Sequence, residues 1–217
     1  MFAKDKWRGA MYSLVVFIVI WWAISGLLKL PIIPSPFAVF ATIIEIFKSK
    51  MEIHVLYSLG RIVAGIIISI LIGVPLGFLM GSFEKVNRFL SPLIYFTYPV
   101  PKIALLPIVM LIFGLGETSK LIMIVLIVIF QIIITSRDAV RDIPEEIFHS
   151  LQALGASKLQ ILTEIIVPAA LSEVLTATRL ALGTAVSILF FTETFGTEFG
   201  MGYFIMDAWM RVNYLEM

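Results

Sequence analysis

The sequence predicts an all-α fold, a polytopic helical membrane protein with a single transmembrane domain over 1–217. Of its 217 residues, 60% are hydrophobic and only 14% are charged, whereas soluble domains average about 45–50% and about 25%. The apolar residues are concentrated in long blocks, each long enough for a helix to cross a hydrocarbon core about 30 Å thick. We therefore predict five spans, at about 10–28, 62–80, 89–113, 121–136 and 165–191.

Composition also narrows the possible functions. The net charge of +1 gives no reason to expect a nucleic-acid partner, and the absence of cysteine rules out disulfides and thiolate metal sites. Glu146 and His149 have the spacing of half a di-metal motif, but Glu52 and His54 do not supply the second half. We predict no metal site. No cluster of catalytic groups is visible, so we predict that the chain is not an enzyme.

The first 60 residues predict one span followed by a surface helix. Lys4, Lys6 and Arg8 precede an apolar run over 9–28 that is long enough to span, which predicts an uncleaved first helix. Prolines at 31, 34 and 36 then end it. Apolar and charged residues over 37–58 separate onto different faces, which predicts an amphipathic helix at the membrane surface.

Glycines in the second span predict close packing against another helix. Gly73, Gly77 and Gly81 are spaced four apart, and Gly65 lies on the same span. Small residues at this spacing let two helix backbones approach closely in a membrane. Pro75 predicts a kink in the same helix.

The third span contains four prolines and a lysine, which predicts a broken helix near 98–102. Irregular backbone at membrane depth is tolerated where it is buried in protein or lines a cavity. One interpretation makes this break a wall of a translocation pathway, formed by Tyr98, Pro99, Pro101 and Lys102. The other is a structural kink in which nearby carbonyls satisfy Lys102.

The fifth span and its outer end contain further charged residues that are candidates for the pathway. Arg179 lies in the fifth span, where it could face an anion, pair with Glu173 or extend toward the cytoplasmic surface; of these, we expect the pairing with Glu173. Glu193 and Glu198 follow at the outer end of that span. They could line a gate, contact an external protein, or lie in a solvated turn.

The distribution of lysine and arginine predicts a cytoplasmic N-terminus. With that orientation, the inside segments hold eight cations, which are Lys4, Lys6, Arg8, Lys85, Arg88, Arg137, Arg141 and Lys158. The outside segments hold six, which are Lys29, Lys48, Lys50, Arg61, Lys120 and Arg211. The segment 137–164 is then cytoplasmic.

Capping residues in 137–164 predict two helices separated by a glycine. Asp142 with Glu145 has the form of a capping box, and Gly155 can end the first helix. Ser157 with Gln160 predicts a second capping box, on a helix that continues into the fifth span and bends at Pro168. Within the first helix the apolar residues form one stripe, which contains Ile143, Ile147, Leu151 and Leu154.

An apolar stripe on a cytoplasmic helix must be buried against something. It either folds back on the spans of this chain or fits a groove on a soluble partner. These residues alone leave both alternatives open.

The glycine and the residues that follow it resemble the signature loop of binding-protein-dependent ABC transporter permeases. That loop reads Glu-Ala-Ala, three residues, Gly, nine residues, Ile-x-Leu-Pro. Gly155, Ile165 and Pro168 match it, Val167 replaces Leu, and 149–151 (HSL) replaces Glu-Ala-Ala. The nitrate/sulfonate/taurine subgroup is also resembled at 30–36 (LPIIPSP), 72–81 (IGVPLGFLMG), 99–107 (PVPKIALLP), 113–117 (FGLGE) and 200–209 (GMGYFIMDAW).

The resemblance implies a type I ABC importer permease in a prokaryotic inner membrane, a sixth span beyond residue 217, and a small anionic solute. Its implied partners are a second permease copy, a cytoplasmic ATPase and an external solute-binding protein. Because the chain has no phosphate-binding Gly-rich loop, ATP and Mg would be held by the ATPase. The rival hypothesis is a secondary transporter or channel, for which inverted repeats or mid-membrane acids would be expected.

The resemblance also implies that the helix over 143–154 couples to the ATPase. The implied contact residues are Glu146, His149, Ser150, Leu151, Ala153, Leu154, Gly155, Ala156 and Ser157, and the motif is completed by Ile165 and Pro168.

Overall fold

The computed structural model describes the chain from Phe2 to Met217, with side chains from Arg8 onward. Lys4 and Lys6, on which the predicted orientation partly rests, lie outside the described side chains. Throughout the described residues the regular secondary structure is helical. In chain order the α-helices are α1 (Phe2–Leu28), α2 (Pro36–Ile46), α3 (Glu52–Ser82), α4 (Glu84–Thr97), α5 (Leu106–Phe113), α6 (Glu117–Arg141), α7 (Glu145–Ala153), α8 (Lys158–Ile161), α9 (Val167–Glu193) and α10 (Met201–Met210).

Four helical segments are long and apolar enough to cross a membrane: Arg8–Leu28, Pro36–Ser82, Glu117–Arg141 and Lys158–Glu193. A fifth is obtained if Glu84–Thr97 and Lys102–Phe113, which meet at 82°, form one bent span. The chain divides into two compact units, one running to Leu56 and including Phe199–Met217, the other being Tyr57–Glu198.

In the first unit, the proline-rich link is bonded to α1. The Trp21 indole donates to the Pro34 carbonyl at 3.1 Å, and the Ser25 hydroxyl donates to the Ile33 carbonyl at 2.9 Å. Ser35 then caps α2, whose first residue is Pro36. The segment 37–58 is helical, but it is not a separate element, because a π turn at Phe47–Met51 carries α2 directly into α3.

In the second unit, α3 packs closely on α6, and the glycines provide the room, as predicted. A Cβ added to Gly77 would lie 2.5 Å from the Ser136 Cβ and 2.7 Å from the Ile133 carbonyl oxygen. A Cβ on Gly81 would lie 2.5 Å from the Val140 Cβ. The helix α9 also packs against α6, and its contact face carries buried Ala177, Ala181, Ala185 and Leu189.

The predicted break in the third span is confirmed. The helix α4 ends at Thr97, and a 3₁₀ turn at Lys102–Leu105 starts the chain toward α5 in a new direction. Pro99 and Pro101 lack an N–H and cannot continue the α-helical hydrogen bonding.

The segment 137–164 confirms two predicted signals and corrects a third. Asp142 does not cap α7, because it ends α6, where its N–H bonds to the Asp138 carbonyl at 2.9 Å. The reason is Pro144, since a residue that precedes proline avoids the helical conformation, so α7 begins only at Glu145.

Gly155 and Ser157 act as predicted. Gly155 has φ +81°, and the Ala156 N–H bonds to the Leu151 carbonyl at 3.0 Å, which completes a Schellman motif. The Ser157 and Gln160 side chains form a reciprocal capping box at the start of α8. A π turn at Leu162–Ile166 then leads directly into α9, with Pro168 in its first turn.

Candidate functional site

The helix α7 has an inner face that packs on the chain itself. Phe148 and Leu151 pack with Val140, Ile143 and Ile165 in one apolar cluster. The predicted single stripe is therefore divided, because Ile147 and Leu154 remain exposed at 44% and 82%. Leu151 is half-buried in this internal packing, and its contact with a partner stays a prediction. Phe148 joins the same packing without having been predicted.

The other face of α7 is open. Glu146, His149, Ser150 and Ala153 are all exposed there, and Leu154 follows at the C-terminal end. The Ser150 hydroxyl donates to the Glu146 carbonyl at 2.7 Å, so its hydrogen is already used within the helix. This outer face, made of Glu146, Ile147, His149, Ser150, Ala153 and Leu154, offers one carboxylate, one imidazole and two apolar side chains.

The connection from α7 to α9 contains no flexible linker. The Schellman motif at Gly155 is followed two residues later by the Ser157–Gln160 capping box. Helical backbone then continues from Lys158 to Glu193. Ile165 is buried in the cluster beneath α7, so the motif residue links the inner face to the beginning of α9. Packing and continuous helical backbone therefore join α7 to the beginning of α9.

The broken third span satisfies its own lysine. The Lys102 ammonium donates to the Thr97 and Tyr98 carbonyls at 3.0 and 3.1 Å and lies 4.6 Å from the centre of the Phe130 ring. Because these carbonyls lose their helical partners at the break, the lysine supports the structural-kink alternative. Tyr98, Pro99 and Pro101 are exposed, so their place in a pathway stays a prediction.

Glu193 does not lie in a solvated turn. It is 1% exposed, accepts from the Arg61 guanidinium at 2.6 Å and accepts from the Ser58 hydroxyl at 2.8 Å. Arg61, itself 3% exposed, also binds Glu117 at 2.5 Å. One guanidinium thus joins α3 to the start of α6 and the end of α9, and a place for Glu193 in the pathway stays a prediction. Glu198 is exposed.

Lys120 forms hydrogen bonds at the same end of the second unit. Its ammonium is 1% exposed and donates to the carbonyls of Leu115, Gly116 and Gly196 at 2.8, 3.2 and 3.4 Å. The sequence analysis missed Arg61, Glu117 and Lys120 as a group. The available signal was that all three lie at predicted span ends on the same side of the membrane.

Arg179 does not pair with Glu173. Both side chains are exposed on α9, and within the described part of the chain no carboxylate lies within ion-pair distance of Arg179. Residues six apart on an α-helix are separated by about 240° around its axis, so they point in different directions. The expected pairing is wrong for that reason.

Comparison with known proteins finds relatives that are transport or import permeases. The chain is 32% identical over 204 residues to the taurine transport system permease protein TauC of Escherichia coli, covering 90% of this chain and 74% of that protein. It is 30% identical to the putative aliphatic sulfonates transport permease protein SsuC of Bacillus subtilis, covering 93% and 74%. It is 28% identical to the nitrate import permease protein NrtB of Synechococcus elongatus, covering 90% and 74%.

A solved structure shows the same fold. A chain of the MetNI methionine ABC transporter, in an inward-facing conformation, matches 75% of this chain and 89% of its own length with a TM-score of 0.62 at 21% identity. The architecture is therefore that of an ABC importer permease. The family profile described as "binding-protein-dependent transport system inner membrane component" matches residues 70–217. With a matched region of that extent and a relative at 32% identity, the chain belongs to this family of membrane-spanning transport permeases.

Proposed function

We propose that this chain is the transmembrane subunit of an ATP-driven importer that forms the path of a small anionic solute. The observation that carries the proposal is the outer face of α7, which is open to a partner while its inner face is fixed to the spans. A cytoplasmic ATPase would hold ATP and Mg. An external binding protein would deliver the solute, and a second permease copy would complete the path.

Coupling would work by rigid-body displacement. The outer face of α7 enters a groove on the ATPase, with Leu154 and Ile147 supplying apolar contact and Glu146 supplying charge. When nucleotide closes the ATPase dimer, α7 moves with it, and the capped joint at Gly155 and Ser157 carries the displacement into α9.

The position of His149 changes what the ATPase groove must accept. The family loop has a glutamate there, whereas this chain presents an exposed imidazole followed by Ser150. A groove built for a carboxylate would offer a cation, which an imidazole does not attract. We infer that the cognate ATPase presents a neutral or acidic group opposite His149.

The proposed solute class rests on three relatives whose names state a solute. Taurine, aliphatic sulfonates and nitrate, the solutes in their names, all carry an oxyanion group. The formylaminopyrimidine transport permease protein ThiX of Halalkalibacterium halodurans, at 31% identity, carries a different type of solute. We propose an oxyanion for this chain, an inner-membrane location and a cytoplasmic N-terminus, the last from the lysine and arginine distribution.

The test is assembly of this chain with the ABC ATPase of its own importer. Leu154→Lys places a charge on the outer face of α7 without weakening the helix, because a cation is favourable at a helix C-terminus. We expect at least a tenfold loss of co-purified ATPase and loss of ATP-driven uptake. The control is Leu159→Lys, since Leu159 is similarly exposed, at 68%, but lies on α8.

Both variants should retain the thermal unfolding transition of the unaltered chain. Unchanged ATPase binding by Leu154→Lys would overturn the coupling role of α7. Uptake that continues without ATPase and ATP would favour the secondary-transporter alternative.

A further inference from the structure

We propose that Arg179 and the polar stripe around it on α9 form the oxyanion-attracting surface of the translocation path. The stripe consists of Ser172, Thr176, Arg179, Gly183 and Ser187. This inference rests on the proposed function and deepens it, because it assigns solute selectivity to residues of this chain.

The stripe lies on the side of α9 that faces away from the packed core. The residues buried against α6 are Ala177, Ala181, Ala185 and Leu189. At 100° per residue, the stripe is centred about 180° from them. Arg179, Gly183 and Ser187 are exposed. No residue of α6 can therefore serve as a partner for the stripe.

Arg179 differs from the cations that are buried in the spanning helices, which are Arg61, Lys102, Lys120 and Arg137. Arg61 binds two carboxylates, Lys102 and Lys120 bind main-chain carbonyls, and Arg137 binds Asp138 and the Tyr95 hydroxyl. Within the described residues, Arg179 has no hydrogen-bond acceptor and no ion-pair partner. A guanidinium in the hydrocarbon region is unfavourable unless it faces a water-filled cavity or a counter-charge.

The depth of Arg179 places it within the bilayer. It lies 14 residues before Glu193, which at 1.5 Å per residue is about 21 Å along the helix. In the other direction Glu173 is six residues, or about 9 Å, away. With Glu193 at the outer boundary, the guanidinium belongs to the inner part of the hydrocarbon region, where an inward-open path is wet.

The neighbouring side chains suit an aqueous surface that binds anions weakly. The Thr176 and Ser187 hydroxyls donate to the Ser172 and Gly183 carbonyls at 2.9 and 3.0 Å, so they are satisfied before any solute arrives. The five N–H donors of the guanidinium remain for an oxyanion, which they can bind in a bidentate manner. One cation beside hydroxyls that already donate to main-chain carbonyls attracts an anion but binds it weakly.

The absence of native cysteine allows a direct test in the assembled transporter. Gly183→Cys places a thiol one turn from Arg179, at a position where a Cβ meets nothing within 4 Å in the described structure. The probes are two membrane-impermeant methanethiosulfonates, one carrying a sulfonate and one a quaternary ammonium. The control is Leu182→Cys, since Leu182 is exposed at 44% and lies at nearly the same depth, but points about 100° away from the centre of the stripe.

We expect the thiol at 183 to react at least tenfold faster than the thiol at 182. The sulfonate reagent should be favoured over the ammonium reagent, and Arg179→Gln in the same background should lower that preference about tenfold. Arg179→Lys should retain most of it. A thiol at 183 that reacts no faster than the thiol at 182 would mean that Arg179 faces lipid, reaching a headgroup phosphate, and would overturn the inference.

A reagent preference unchanged by Arg179→Gln would overturn it as well. Neither result touches the proposed function, which is tested by ATPase binding to α7. An unaltered chain that did not bind the ATPase would instead refute the proposed function.

Discussion

Arg61 and Arg179 lie in two spanning helices of the same unit, yet the fold treats them in opposite ways. Arg61 is 3% exposed and its guanidinium is shared between Glu117 and Glu193. Arg179 is exposed and has no partner among the described residues. A buried charge must be neutralised by the chain that buries it. A charge that the chain leaves open in a span therefore indicates a partner outside the chain.

The same comparison separates the two faces of α7. Leu151 is packed against the spans, whereas Leu154, three residues later, is 82% exposed. Leu151 contributes to the packing of the chain, whereas Leu154 is available to the proposed partner. Substitutions at used and unused positions should thus divide into those that change stability and those that change transport.

The largest expected effect is that of Arg61→Met. Removing the guanidinium leaves Glu193 buried without its cation, which should lower the free energy of unfolding by about 3–5 kcal/mol. Arg179→Met is the matched variant and should lower it by less than about 0.5 kcal/mol, since no contact is lost. Thermal unfolding of the detergent-purified chains, followed by tryptophan fluorescence, measures both. Equal effects at the two positions would contradict the comparison.

The next effect concerns the helix packing on which the Arg61 cluster depends. Gly77→Val would force α3 away from Ser136 and the Ile133 carbonyl, which we expect to destabilise the chain by about 2–3 kcal/mol. Gly60→Ala is the control, because a Cβ there meets nothing within 4 Å in the described structure. It should be neutral or stabilise by up to about 1 kcal/mol through helix propensity. Similar melting temperatures for the two variants would refute the close α3–α6 contact.

A smaller effect distinguishes the two leucines of α7. Leu151→Ala removes part of a half-buried side chain and should destabilise by about 1–2 kcal/mol. Leu154→Ala should leave stability unchanged and reduce ATPase binding. The same preparations can be measured by thermal unfolding and by ATPase titration. If Leu151→Ala changed only ATPase binding, the inner face of α7 would have been assigned wrongly.

Features that depend on local chemistry could be predicted from the sequence. Gly155, the Ser157–Gln160 capping box and the proline break near 99–101 each act over a few residues, and the structure has all of them. The Arg61–Glu193 pair could not be predicted in this way, because its partners are 132 residues apart. No periodicity or cap relates such positions.

Two predictions were wrong for local reasons, one about a helix start and one about an ion pair. Asp142 was assigned to a helix that Pro144 prevents from starting there. Arg179 was paired with Glu173 at a spacing of six, although only residues three, four or seven apart share a helix face. An ion pair within one helix therefore requires a spacing of three, four or seven residues as well as opposite charges.

The smallest expected effect comes from an ion pair in the first unit, whose cation, Lys50, is half exposed. Glu216 accepts from the Lys50 ammonium at 2.7 Å and from Arg211 at 3.0 Å. The hydrogen bond from Lys50, followed by that from Arg211, lowers the pKa of the Glu216 carboxyl below its ordinary value. A carboxyl whose pKa is lower in the folded state stabilises the protein above the unfolded pKa. That contribution is lost as pH falls through the folded pKa.

Lys50→Gln should therefore lower stability by a few tenths of a kcal/mol at pH 7 and by almost nothing at about pH 3, because Lys50 is half exposed and its ion pair is screened. Lys48→Gln, two residues away and without a carboxylate partner in the described structure, is the control and should change stability at neither pH. Melting temperatures at the two pH values and at low salt provide the measurement. An effect as large as that of Arg61→Met would show that burial is not what separates strong ion pairs from weak ones in this protein.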